Sequence, residues 1–128
     1  MSSVLHTTLD TQRREIRLLA LLPGECTDPV SCQLHIDSLD REPLYEALSY
    51  VWGDSNEHRT ILLDETEFPV TDNLYAALRR LRNRREKRVI WVDQLCINQS
   101  DLVERGHQVG LMESVYSKTF RALFWLAD

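Results

Sequence analysis

Four apolar residues in a row, Val89-Ile90-Trp91-Val92, run directly into Asp93-Gln94-Leu95-Cys96-Ile97-Asn98-Gln99-Ser100-Asp101 and then Leu102-Val103-Glu104-Arg105. A short unbroken run of β-branched and aromatic residues suits a strand buried on both faces. The polar residues that follow read as a loop, after which apolar residues recur at helical spacing. A buried strand that opens through a polar loop into a helix commits this region to an open α/β sheet. Such sheets hold ligands in the crevice beyond the carboxyl ends of their strands. Asp93, Asn98 and Gln99 are therefore the first residues to consider as a site.

The flanking segments fill in the architecture. Ile16 to Leu22 reads as a first strand ended by Pro23-Gly24, and Val30 to Leu39 alternates like an antiparallel partner with one solvated face. Asp40 to Pro43 is a turn. Ala47 to Val51 is strand-like, and Gly53-Asp54-Ser55-Asn56 ends it with turn chemistry. Thr60 to Leu63 and Glu67 to Val70 flank Asp64-Glu65 as a hairpin, with Pro69 assigning its second strand to a sheet edge. Thr71-Asp72 caps a helix carrying Leu74, Leu78 and Leu81 on one face. Asp101-x-x-Glu104 has capping-box spacing with Asp in place of Ser or Thr. It opens a second helix, whose expected apolar face is Leu102, Val109, Met112 and Val115 or Tyr116. Ala122 to Leu126 is a last buried strand. Strand, helix, strand, helix, strand in the second half argues for a partly parallel sheet with crossover helices; the first half adds antiparallel β structure. Residues 1–13 show no period and read as a flexible N-terminus. A chain that stops at its last strand leaves a sheet edge bare, which points either to a partner or to the front portion of a longer protein.

Composition narrows the function classes. The 128 residues, 43% hydrophobic and 27% charged, suit one globular domain. No run approaches the ~20 apolar residues of a membrane span, and Leu18 to Leu22 is too short for a signal-peptide core. The expectation is a cytoplasmic protein without membrane partners. Three cysteines (Cys26, Cys32, Cys96) with no C-x-x-C pair, and four scattered histidines, indicate neither a disulfide framework nor a metal site. The net charge is -5, yet Arg79 to Arg88 holds seven of the fifteen basic residues against one acid, Glu86. Such a cluster can mark a nucleic-acid or anionic-lipid contact. Without interleaved aromatics it reads better as a solvated helix end complementing the helix dipole, which argues against a nucleic-acid partner.

Three blocks then fall in a recognisable order: Ala47-Leu48-Ser49-Tyr50-Val51-Trp52-Gly53; Ile90-Trp91-Val92-Asp93-Gln94-Leu95-Cys96-Ile97-Asn98-Gln99; and Glu104-Arg105, Gln108-Val109, Met112, Val115-Tyr116, Leu123-Phe124-Trp125-Leu126. Together they resemble the fungal heterokaryon-incompatibility (HET) domain across Tyr45 to Leu126. Gly106 and Gly110, at about 1 kcal/mol each relative to Ala, and Ala127, where the family often has glycine, are departures. The resemblance implies that residues 14–128 are the N-terminal portion of a HET domain, cut short on its C-terminal side. It also implies a role in fungal non-self recognition and programmed cell death, as a death-inducing signalling module that associates with itself or with another incompatibility protein. The family is distantly similar to the TIR domain, a flavodoxin-like signalling fold, with Leu48-Ser49-Tyr50 as first strand and Val89 to Asp93 as second. Some TIR domains cleave NAD with a glutamate in a helix after the third strand. Here that segment falls beyond Asp128, so the alternative is an NAD(P)-cleaving domain whose catalytic glutamate lies outside this chain. No resident cofactor is implied, and NAD enters only as a substrate.

Each candidate residue carries two readings. Asp93 either binds a ribose hydroxyl or orients a nucleophile, or it accepts backbone N–H bonds and shapes its loop. Asn98 and Gln99 are ligand contacts or ordinary loop formers. Glu104 is a general acid or base if buried, or a capping residue. Arg105 clamps a phosphate or carboxylate, or pairs with Asp93 or Asp101. Tyr50 and Trp52, together with Trp91, either stack on a ligand or pack the core, and Gly53 and Asp54 complete the ligand-facing set because a glycine at a strand end admits close approach. Cys96, between Leu95 and Ile97, reads as a buried inert thiol. Ser49 lacks the Gly-x-Ser-x-Gly context of a hydrolase nucleophile.

Overall fold

The apolar segment at the start of the chain becomes the middle of a sheet. In the computed structural model, which describes residues 7–50, 58–118 and 121–125, the elements follow as β1 (Glu15–Leu21), β2 (Ser31–Ser38), β3 (Glu46–Tyr50), β4 (His58–Leu63), β5 (Thr66–Thr71), α1 (Asp72–Leu81), β6 (Arg88–Trp91), α2 (Asp93–Cys96), α3 (Leu102–Ser117) and β7 (Arg121–Trp125). The seven strands form one mixed sheet in the order β5-β4-β2-β1-β6-β3-β7. β1 pairs antiparallel with both its neighbours, β2 and β6. Its residues Ile16 to Leu21 are all buried, which explains why they read as a continuous apolar run with one exception, Arg17.

The chain is α/β with a partly parallel sheet, as expected. β6, β3 and β7 run parallel, with β3 between the other two. The parallel set differs from the one read from the alternation of segments, but it holds the strands at residues 48–50 and 89–93 that the resemblance put first and second. The strand just before α1 is β5, which lies at the far edge, antiparallel to β4; β3 takes its place among the parallel strands. The N-terminal half is not wholly antiparallel either, because β2 pairs parallel with β4 through Ser31 and Cys32. A period of two identifies a strand but carries no information on its direction.

Local chemistry sets the element ends. The Thr71 hydroxyl accepts from Leu74 N and caps α1, while Asp101 Oδ1 accepts from Val103 N and Glu104 N and caps α3. Asp64 and Glu65 turn the β4–β5 hairpin with φ of 51° and 68°. Pro69 lies on the edge strand, where its missing N–H costs no ladder bond. Before β1, Leu9 is buried and Thr7 offers its carbonyl oxygen to Arg17.

Two expectations are corrected in the second half. Residues 93–96 form a helical turn inside the segment read as a loop. More consequentially, the expected face of α3 is met in part: Met112, Val115 and Tyr116 face the core, but Leu102 is 76% exposed and Val109 55% exposed, while Gln108 is buried. The inward side carries Glu104, Gln108 and Val115, with Leu111, Met112 and Tyr116 packed against the core. The physical reason is Arg17. A guanidinium inside a buried strand needs a carboxylate, and Glu104 can supply one only if α3 turns that side to the sheet.

Candidate functional site

Two clusters occupy the region beyond the ends of β3 and β6. In the first, the Glu104 carboxylate meets the fully buried Arg17 guanidinium in a two-pronged pair, Nη1 donating to Oε2 at 2.7 Å and Nη2 to Oε1 at 2.8 Å. Arg17 also donates to the Cys96 carbonyl at 3.3 Å and the Thr7 carbonyl at 2.7 Å. Glu104 Oε2 accepts from Asn98 N at 2.6 Å. The Gln99 amide donates to the Asp93 carbonyl, and Asn98 Oδ1 accepts from Ser100 N. One turn along α3, the Gln108 amide donates to the Glu15 carbonyl of β1. Asn98, Gln99, Glu104 and Gln108 are thus committed to bonds inside the fold. Glu104 completes only half a capping box: Asp101 caps, but Glu104 turns to Arg17.

The second cluster is smaller and faces the strand ends. Asp93, at the start of α2, is half-buried, and burial holds its carboxyl above the usual range, partly offset by the N–H groups of Gln94 and Asp93 itself. Asp93 lies close enough to Tyr116 for its charge to act on the phenol. The Tyr116 pKa is pushed up first by burial and then by Asp93, against a hydrogen bond to the Ser49 hydroxyl. The Tyr116 ring meets Trp91 edge-on, centroids 5.7 Å apart at 81°. Trp91 is fully buried, and its indole N–H has no hydrogen-bond partner among the described residues.

These pKa directions limit the chemistry available. The Tyr116 phenol, raised above its ordinary value, is a poor base for Ser49. The Cys96 thiol is buried and its pKa pushed up to about 12, first by burial, which makes it inert as read from sequence. What the cluster offers is hydrogen bonding: a carboxyl, a phenol and a hydroxyl at the ends of parallel strands.

The structure therefore brings Asp93 together with Ser49, Trp91 and Tyr116, and gathers Asn98, Gln99 and Glu104 elsewhere around Arg17. Arg105 is exposed and makes no ion pair with Asp93, Asp101 or any other acid among the described residues. Trp52, Gly53 and Asp54 lie outside the described residues, as does the side chain of Tyr50, whose backbone pairs with Trp125. The sequence reading missed Arg17 and Tyr116 as site-forming residues. A lone arginine inside the apolar run 16–22 was the available signal for the first; for Tyr116 it was its place in the third family block. Among the described residues, no group of three or more His, Cys, Asp or Glu could hold a metal ion, and no helix is long and apolar enough to cross a membrane.

The basic cluster is put to structural use. Arg82 donates to the carbonyls of Glu25, Asp28 and Pro29, Arg84 pairs with Glu25 at 3.5 Å, and Arg88 forms a two-pronged pair with Glu46. These arginines staple the β1–β2 connection and β3 to the end of α1 and the start of β6.

Comparison with known proteins points the same way as the sequence blocks. Residues 45–128 match the family model described as heterokaryon incompatibility protein (HET). Over 125 residues the chain is 38% identical to "Heterokaryon incompatibility protein 6, OR allele" of Neurospora crassa, covering 87% of this chain and 18% of that protein. The chain thus spans under a fifth of the length of this curated relative. No solved structure matches.

Proposed function

The chain belongs to the heterokaryon incompatibility (HET) family, and from that premise we propose that it is a death-inducing signalling module of fungal non-self recognition, acting in the cytoplasm by self-association. The observation that carries this reading is the use made of the family's polar motif residues. Asn98, Gln99, Glu104 and Gln108 bond across elements, as befits a scaffold, and Glu104 does so while lining a small cavity of about 110 Å³ with Asp101 and His107. The strand order β6-β3-β7, second-first-third within the parallel set, supports a TIR-like, flavodoxin-like core. The NAD(P)-cleaving alternative turns on a glutamate that the resemblance puts outside this chain, and no observation among the described residues favours it.

The solvent face of α3 suits assembly. Leu102, Val103 and Val109 are exposed there beside Gly106 and Gly110, where an added Cβ would meet nothing within 4 Å. Arg105 and Glu113, both exposed, stand four residues either side of Val109. An antiparallel pairing of two α3 helices crossing at Val109 sets each arginine against the other copy's glutamate.

The experiment expresses this chain and its Val109→Glu variant in fungal cells, scoring viability alongside the solution mass and NAD consumption of purified protein. Killing by the wild-type chain, lost in a folded monomeric variant, supports the reading. Killing that persists in the monomer, or that tracks NAD consumption, overturns it.

A further inference from the structure

A cavity of about 660 Å³ lies against the outer side of α1, lined by none of the residues of the clusters above. Its wall brings together Arg59 of β4, Asp72, Tyr75, Arg79 and Arg80 of α1, and Cys26 of the β1–β2 connection. Positions 72, 75 and 79 recur at helical spacing on the side away from Leu74, Ala77 and Leu78, the residues by which α1 packs on the core. Three guanidinium groups share this wall with one carboxylate, in a chain whose net charge is -5.

Two of the arginines are held in position. Arg59 and Arg79 both approach the Tyr75 ring, at 5.8 and 5.9 Å from its centroid. Arg59 is also tied through Nε to Asp72 at 2.9 Å, and Arg79 through Nη2 to the Cys26 carbonyl at 3.1 Å. A guanidinium offers five N–H donors, so each tether leaves most of the fork for a ligand while removing much of the entropy cost of recruiting it. Arg82 and Arg84, by contrast, are spent on the loop. A concave, positively charged wall with pre-positioned planar forks matches a phosphate group, and the volume falls in the range of small-molecule sites.

We propose that this cavity binds a phosphorylated small molecule of about mononucleotide size, its phosphate set against Arg59 and Arg79. The site is separate from the strand-end clusters, and it stands whether or not the chain signals by assembly.

Cys26 supplies a reporter built into the wall. It is exposed, whereas Cys32 and Cys96 are buried, and its sulfur lies 3.7 Å from Arg79 Nη2. The rate of Cys26 alkylation by iodoacetamide is measured with increasing AMP, or with inorganic pyrophosphate, at ionic strength matched with sodium chloride. Saturable slowing of at least fivefold is expected. Arg59→Gln should weaken the half-maximal concentration at least tenfold. Ala76→Glu, which adds a carboxylate to the wall without removing any of these tethers, should abolish protection while the fold, read by circular dichroism, stays intact. Equal slowing by sodium chloride alone, or protection unchanged in Ala76→Glu, overturns the proposal. So does protection by a short single-stranded RNA, or by vesicles carrying a phosphoinositide, at concentrations where AMP and pyrophosphate give none, because the surface would then be macromolecular.

Discussion

Glu104 of α3 reaches Arg17 of β1 across 87 residues of sequence, with both prongs of the pair under 3 Å and the arginine wholly out of solvent. Arg17 lies outside the segment 45–128 that matches the family model, so a motif residue of the family depends on a strand that precedes it. The pair ties β1, the turn at Cys96, the backbone of Asn98 and the start of α3 into one unit. A buried ion pair need not stabilise more than apolar residues would, but leaving one charge alone is costly.

Glu104→Gln should therefore destabilise the chain by about 3–5 kcal/mol, the cost of an unpaired buried charge. Replacing both partners, Arg17→Met with Glu104→Leu, should recover most of the loss. Urea unfolding of the two single variants and the double variant measures the coupling. Additive effects would mean that the pair is not a unit.

Asp93 gives a pH signature. Its carboxyl pKa is raised from 3.8 mainly by burial, so the folded protein holds this proton more tightly than the unfolded chain. Stability from this group is therefore greatest below pH 3.8, declines as pH rises to the elevated folded value, and stays lower above it. Asp93→Asn should remove that decline and raise the urea midpoint at pH 7. A midpoint that falls at pH 7 would show that the carboxylate's bonds to the Gln94 and Asp93 N–H groups outweigh its burial cost.

The division between what sequence revealed and what it withheld follows from range. Thr71 and Asp101 as caps, the Asp64-Glu65 turn, Pro69 at an edge and the buried run before Asp93 are local effects, decided within a few residues. On α3, Met112, Val115 and Tyr116 were legible as inward, but Leu102 and Val109 mislead because they satisfy a helical period, while Glu104 looks polar until Arg17 is placed behind it. β5 resembles the first strand of a crossover unit because it precedes α1; β3 fills that role through partners 44 or more residues away, which local pattern does not reach and only the family resemblance indicated. Of the expected site, Asp93 kept its place at a strand end. Asn98 and Gln99 bond within the fold through their side-chain amides, a use that sequence does not distinguish from ligand contact because an amide bonds to ligand or to backbone equally well.

Thiol chemistry separates the three cysteines. Burial pushes the pKa of both Cys32 and Cys96 up to about 12, while Cys26 is exposed. Native protein at pH 8 should take up a single alkyl group, at Cys26, and unfolding in urea should release the other two. Mass spectrometry after a timed pulse of iodoacetamide reads this directly. Early labelling of Cys96 would show that the turn over Arg17 opens.

The β4–β5 turn offers the opposite experiment, a gain in stability. Glu65 is exposed and held at φ 68°, a left-handed conformation that costs an L-residue with a Cβ about 1–2 kcal/mol. Glycine adopts it without that strain, although its freer unfolded state offsets part of the benefit. Glu65→Gly should therefore stabilise the chain by up to about 1 kcal/mol, raising Tm by a few degrees. Asp64, at φ 51°, should respond differently. Its Oδ1 accepts from Leu34 N at 3.1 Å and links the turn to β2, so Asp64→Gly exchanges strain relief for a lost bond. Thermal unfolding of the two variants side by side tests the account: Glu65→Gly should melt above wild type and above Asp64→Gly. If Asp64→Gly were the more stable, the tie from Asp64 to β2 would contribute less than the strain it imposes.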